Sequence, residues 1–168
     1  DYGNPDKFRF WFGFADLEQG ISRAWKSQRL ADGLPVMTTV LEKDGVRYQL
    51  EQFAYPLEGP PRERRGDIAM LLLQKVRLTE LAGQARTVPV TLHHRRQLPA
   101  YSNPDLALEE RASALVFTEA GGGRALFAIQ GAAGQAAWSG VNDYQREGKR
   151  VSATVFVSLA ARGSHELV

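Results

Sequence analysis

The chain contains no cysteine, which removes disulfide staples, thiol catalysis and zinc–thiolate centres together. It has no long apolar run either. The longest, Met70 to Leu73 with its neighbours, is far short of the ~20 residues a membrane-spanning helix needs, so no membrane partner is expected. Charge of one sign is also missing: 21 Lys and Arg stand against 19 Asp and Glu, a net charge of +2. The densest basic run, Arg62-Glu63-Arg64-Arg65, carries an acid within it, whereas nucleic acid is bound by a one-signed face. No nucleic-acid partner follows. Nor is there a phosphate loop, GxSxG elbow, HExxH pair or EF-hand loop. Gly121-Gly122-Gly123 lacks a GK[ST] ending and opens no helix, so it reads as a hairpin tip. No cofactor is implied.

What is present is the balance of a globular protein: 168 residues, 43% hydrophobic and 24% charged, enough for one domain with a two-layer core. The chain opens on polar DYGNPDKF without an initiator Met and closes on the β-like run SHELV. Residues 1–168 are therefore expected to form a single domain that is a piece of a longer chain, or one whose last strand is paired.

The segment Leu34 to Tyr55 carries the fold class. Two alternating runs meet at Asp44-Gly45, and that dipeptide between β-formers predicts a hairpin. Val46, Tyr48, Leu50 and Gln52 share one face, and Arg47, Gln49, Glu51 and Phe53 the other. Phe8, Phe10, Phe12 and Phe14 repeat at period two upstream, as a buried strand face does. Ile68 to Leu81 begins continuously apolar and turns alternating, as a strand would on leaving a sandwich centre for its rim, and Glu80 to Ala85 supplies the next turn. Further strands are expected over Arg86–Arg96, Arg111–Thr118, Arg124–Gln130, Ala136–Val141 and Val151–Ala161. Asp16 to Gln28 is the one weakly helical or irregular segment; Pro56–Asp67, Leu98–Leu108 and Asn142–Lys149 read as connections. About nine strands and at most one short helix predict an all-β antiparallel two-sheet β-sandwich of the super-sandwich type.

Chemistry-bearing groups are scattered. His93 and His94 are adjacent on a strand, so they point apart and cannot easily share a metal ion; the third histidine, His165, is remote. No metal site is expected. Carboxylates (Asp16, Glu18, Glu51, Glu109, Glu110, Asp143, Glu147) form no spacing that specifies an acid/base pair, and Glu51 reads as a paired surface acid. No catalytic residue is assigned. A sugar site wants a flat ring with hydrogen-bonding groups at its rim. Trp138 has that setting, with Asn142, Asp143 and Tyr144 close behind it, and Trp25 in AWKSQR is the second candidate. The competing reading of both is that they cap the core.

The succession ISRAW, GLPVMTTVLEKDGVRYQLEQFAYPL, RGDIAMLLLQKVRLTEL and VPVTLHHR resembles the N-terminal β-sandwich domain, galactose-mutarotase-like in type, of large bacterial glycoside-hydrolase-like proteins. The resemblance spans Phe10 to Val168 and rests on hydrophobic pattern and the hairpin. It implies a noncatalytic domain of a secreted or periplasmic carbohydrate-active protein, whose partner is a downstream catalytic domain of the same polypeptide and whose ligand is an oligosaccharide. Two alternatives stand beside it. One is a stand-alone sugar enzyme of mutarotase or lyase type, with His94 and Glu51 as acid and base. The other is a protein-interaction sandwich, marked by an exposed apolar patch or a free strand edge.

Overall fold

The computed structural model describes residues 8–13, 24–57, 59, 70–96, 106–111, 114–119, 125–130, 143–145 and 148–168. It has the expected all-β, sandwich-like fold class, and its strands pair antiparallel wherever their register is defined. The described strands are β1 (Phe8–Gly13), β2 (Trp25–Leu30), β3 (Met37–Lys43), β4 (Val46–Pro56), β5 (Met70–Glu80), β6 (Arg86–Arg96), β7 (Leu106–Arg111), β8 (Ala114–Glu119), β9 (Ala125–Gln130), β10 (Asp143–Gln145), β11 (Gly148–Leu159) and β12 (Ser164–Leu167). The chain divides into two compact units, one of residues 1–21 and 87–158, the other of residues 22–86 and 159–168.

The second unit holds a five-stranded sheet in the order β12-β5-β4-β3-β2. Its centre is the predicted hairpin. Asp44 and Gly45 take φ of 51° and 76°, the pair of positive values that defines a type I′ turn and matches the twist of the flanking strands. The turn fixes the register, with Lys43 opposite Val46 and Leu41 opposite Tyr48. Period two then sorts the faces. Val46, Tyr48 and Leu50 of β4 are buried with Val76 and Leu78 of β5, Leu41 of β3 and Leu167 of β12. Arg47, Gln49 and Glu51 take the other face, as expected. The closing residues do pair: Ser164 to Leu167 lie antiparallel to Thr79 to Val76.

In the first unit, one sheet runs β1-β6-β11-β10 and another β7-β8-β9. Phe8 to Gly13 pair with Arg96 to Thr91, and β8 and β9 form the expected hairpin. Val88 and Val90 of β6 and Val155 and Val157 of β11 are buried, consistent with alternation along both strands.

Four expectations change. Trp25 to Leu30 is a strand instead of a helical or irregular stretch, because β3 offers it a complete ladder from Met37 to Leu41, interrupted by one bulge between Trp25 and Ser27. Leu106–Leu108 belongs to β7, and Asp143–Gln145 forms β10 against Gly148–Arg150; pairing supplies the order that their polar sequence hides. The polarity of β5 is reversed: its alternating half is buried, whereas Met70, Leu71 and Leu72 of the continuous apolar run are exposed. The neighbouring strands explain this, since β12 reaches only Val76 to Thr79. Phe14, the strand expected at 136–141 and most of the Pro56–Asp67 connection lie outside the described residues.

Candidate functional site

The most elaborate polar arrangement in the five-stranded sheet surrounds Glu80, at the end of β5. Its side chain continues the buried face of Val76 and Leu78, so a carboxylate is placed where an aliphatic group would be expected. Buried charge is costly unless it is fully bonded. Glu80 is: Oε1 accepts the N–H of Ala82 at 2.9 Å, and Oε2 accepts those of Gly83 at 2.7 Å, Gln84 at 3.2 Å and Arg162 at 3.1 Å. The Arg86 guanidinium lies 3.2 Å from Oε1 and donates to the Asp44 carbonyl. Burial alone would raise the carboxyl pKa; the four backbone donors outweigh it and hold the group below the ordinary carboxylate value. With both oxygens occupied, Glu80 acts as a clasp. It ties the β5–β6 turn, the β3–β4 turn and the β11–β12 turn together, and it holds Arg162 in its left-handed conformation, φ 56°.

The opposite face of the sheet is a field of cross-strand pairs. Arg47 donates to Glu42 from Nε at 2.8 Å, with Lys26 3.8 Å from the same carboxylate. Lys75 stands 2.7 Å from Glu51, which also accepts from Gln49 of its own strand at 3.0 Å, and Arg77 donates to Glu166 from Nε at 2.6 Å. The Lys75 hydrogen bond above all keeps the Glu51 carboxyl low. Glu51 is thus the paired surface acid that its sequence context suggested. A low, ion-paired carboxylate is a poor proton acceptor, which counts against its casting as a mutarotase base.

The proposed sugar-contact residues divide. Trp25 begins β2, an edge strand whose six side chains are all exposed, and its indole is 53% exposed. It stands opposite the buried Leu41, at the rim of that face. Gln28, on the same face, donates to Thr39 Oγ1 at 3.0 Å, whereas Ser27 and Arg29, opposite Val40 and Thr38, lie on the other face of the sheet. An exposed flat apolar ring with an amide on its own face of the strand has the chemistry a pyranose face accepts. Asp143 and Tyr144 lie on β10 in register with Arg150 and Lys149, in the other unit. Trp138 and Asn142 lie outside the described residues. His93 and His94 occupy β6, opposite Trp11 and Phe10; His165 sits on β12 opposite Leu78. No group of three acidic or histidine side chains that could hold a metal ion occurs among the described residues.

No family model and no curated protein matches the chain.

Sequence reasoning missed Glu80, reading it as the start of a turn. The signal was available in its parity with Val76 and Leu78. Among the described residues no helix is long and apolar enough to cross a membrane.

Proposed function

We propose that this chain is a noncatalytic β-sandwich domain of a secreted or periplasmic carbohydrate-active, glycoside-hydrolase-like protein, serving as scaffold and touching oligosaccharide through Trp25. The exposed indole at the start of β2 carries this reading. The state of the acids supports it: Glu42, Glu51, Glu80 and Glu166 are each committed to a cationic partner, leaving none of them free for proton transfer. The partner in this reading is a downstream catalytic domain of the same polypeptide. Trp138, Asn142, Asp143 and Tyr144 are assigned to a second contact on the first unit.

Calorimetric titration with glucans and plant oligosaccharides tests the contact. Binding is expected, weakened about tenfold by Trp25→Ala, the equivalent of ~1.4 kcal/mol. Trp138→Ala reports separately on the other unit. A complete lack of binding to any glycan removes the contact role and leaves scaffold alone.

The protein-interaction reading has its own support in the exposed apolar residues at the outer end of β4 and β5.

A further inference from the structure

Strand β12 is short, and among the described residues it pairs with β5 alone. Of its four side chains only Leu167 is deeply buried, opposite Val76. Its other anchors are polar. Ser164 and Thr79 share a hydroxyl hydrogen bond at 3.0 Å, Glu166 accepts from Arg77 Nε at 2.6 Å, and the Gly163 carbonyl accepts the Glu80 N–H. The turn that leads into the strand is fixed by the Glu80 side chain, whose Oε2 accepts the Arg162 N–H at 3.1 Å. Arg162 keeps a left-handed φ of 56° there, a conformation unfavourable to a residue with a side chain unless something holds it. Two fastenings of β12 are thus carboxylates.

Protonation weakens both in the same direction. A neutral Glu80 turns one oxygen into an O–H donor, and the pair that now accepts four N–H groups beside a guanidinium can no longer serve them all. The four donors are unequal. Those of Ala82, Gly83 and Gln84 follow Glu80 within four residues and stay beside it by connectivity. The Arg162 N–H comes from 82 residues further along, so its loss returns the most conformational freedom and relaxes the left-handed residue. Among the described residues, the charged and titratable groups around Glu80 are Arg86 of β6, Lys43 and Asp44 of the β3–β4 hairpin, Tyr48 of β4 and Arg162 itself. Asp44 meets Arg86 through its carbonyl and not its carboxylate, so it does not take over as counter-charge. Glu166 faces Arg77, and His165 between them on β12 lies opposite Leu78.

We propose that β12 is an acid-released latch: proton uptake by Glu80 and Glu166 frees the Arg162 turn and then the strand from β5, while β3, β4 and β5 stay paired. The sign follows from linkage. Glu80 holds its proton more weakly in the latched state than when released, so added protons favour release. The latch is shut above the ordinary glutamate value of about 4.3 and opens as pH falls below it. Opening bares the β5 edge from Val76 to Thr79.

Amide hydrogen exchange of the whole chain, read residue by residue by NMR from pH 7 to pH 3 and corrected for the intrinsic rate, tests this. Those amides of Arg162 to Leu167 that are protected at neutral pH are expected to lose at least about tenfold in protection at a pH where Val46 to Leu50 keep theirs. Glu166→Gln, a change on the exposed face, is expected to lower β12 protection about two- to fivefold at pH 7 and to leave β4 unaltered. Glu80→Gln is expected to leave β12 poorly protected at pH 7 and nearly level in pH; should that variant fail to fold, the order of loss in the parent chain and Glu166→Gln still decide. Loss of protection in β12 and β4 at one and the same pH, as in global acid unfolding, overturns the proposal. So does a β12 that keeps its protection down to pH 3, or in Glu80→Gln. Glycan binding at Trp25 is independent of these outcomes.

Discussion

Glu80 owes its ionised state to backbone geometry: four N–H groups converge on two oxygens that burial would otherwise neutralise. Its folded pKa lies below the unfolded one, so its contribution to stability is present above the ordinary carboxylate pKa of about 4.3 and is lost as pH falls through the lower folded value. Glu51 shifts in the same direction, but its exposure to solvent screens the effect. Glu80→Gln is therefore expected to lower the melting temperature at neutral pH, since one oxygen becomes an NH2 facing backbone donors, and to flatten the acid limb of the stability profile. Thermal melts of both proteins across the acid range check this; parallel acid limbs would dissociate Glu80 from the pH dependence. Tyr48 governs the other limb. Burial first, then the charge of Asp44, against a smaller opposing effect of Arg86, push its phenol up to about 12. A raised folded pKa gives stability that is complete below about pH 10 and lost as pH rises through the folded value. Tyr48→Phe is expected to remove that alkaline decline, followed by denaturant midpoints measured above pH 9. Alternation places both Tyr48 and Glu80 on the buried face, but the donors that keep Glu80 charged were not legible, because they come from turns in separate parts of the chain.

At the scale of elements, local chemistry and neighbour geometry contribute unequally. The β3–β4 hairpin was legible in full because its turn, register and buried face are all decided within some twenty consecutive residues. β2 and β10 were not, since each owes its strand conformation to a partner's ladder more than to its own side chains. β5 was legible as a strand but not in its burial: which half faces solvent depends on where β12 and β3 stop. Gly45 shows how closely the hairpin is fitted to its surroundings. Its φ of 76° disfavours any side chain, and an added Cβ would stand 3.1 Å from Ala82 Cβ and 3.5 Å from Arg86 Nη2. Gly33 has a similar φ of 73° with nothing within 4 Å. Gly33→Ala is expected to cost about 1 kcal/mol for backbone strain alone. Gly45→Ala is expected to cost about 2–3 kcal/mol, because crowding adds to strain and the displaced Arg86 weakens its hold on Glu80. Equilibrium urea unfolding of the two variants decides; equal losses would mean the Ala82 contact relaxes freely.

For the whole molecule, the order of the chain matters as much as its pattern. The second compact unit takes residues 22–86 from one part of the sequence and 159–168 from another, and no periodicity announces that return. The final segment supplies three things the unit cannot replace. Leu167 is 3% exposed and pairs with Val76; the Arg162 N–H is one of four donors to Glu80; and the Gly163 carbonyl accepts the Glu80 N–H at 3.0 Å. Deleting residues 160–168 therefore strips a buried carboxylate of a donor and uncovers one side of Val76 and Leu78, two side chains of the sheet's core. Each loss belongs to a mechanism that destabilises strongly. The truncated chain is expected to lose cooperative unfolding of residues 22–86 and to become sensitive to limited proteolysis there, although every residue of the β2–β5 hairpins is retained. An unchanged unfolding midpoint and digestion pattern would show that β2 to β5 form a self-sufficient sheet, with the Glu80 clasp dispensable to it.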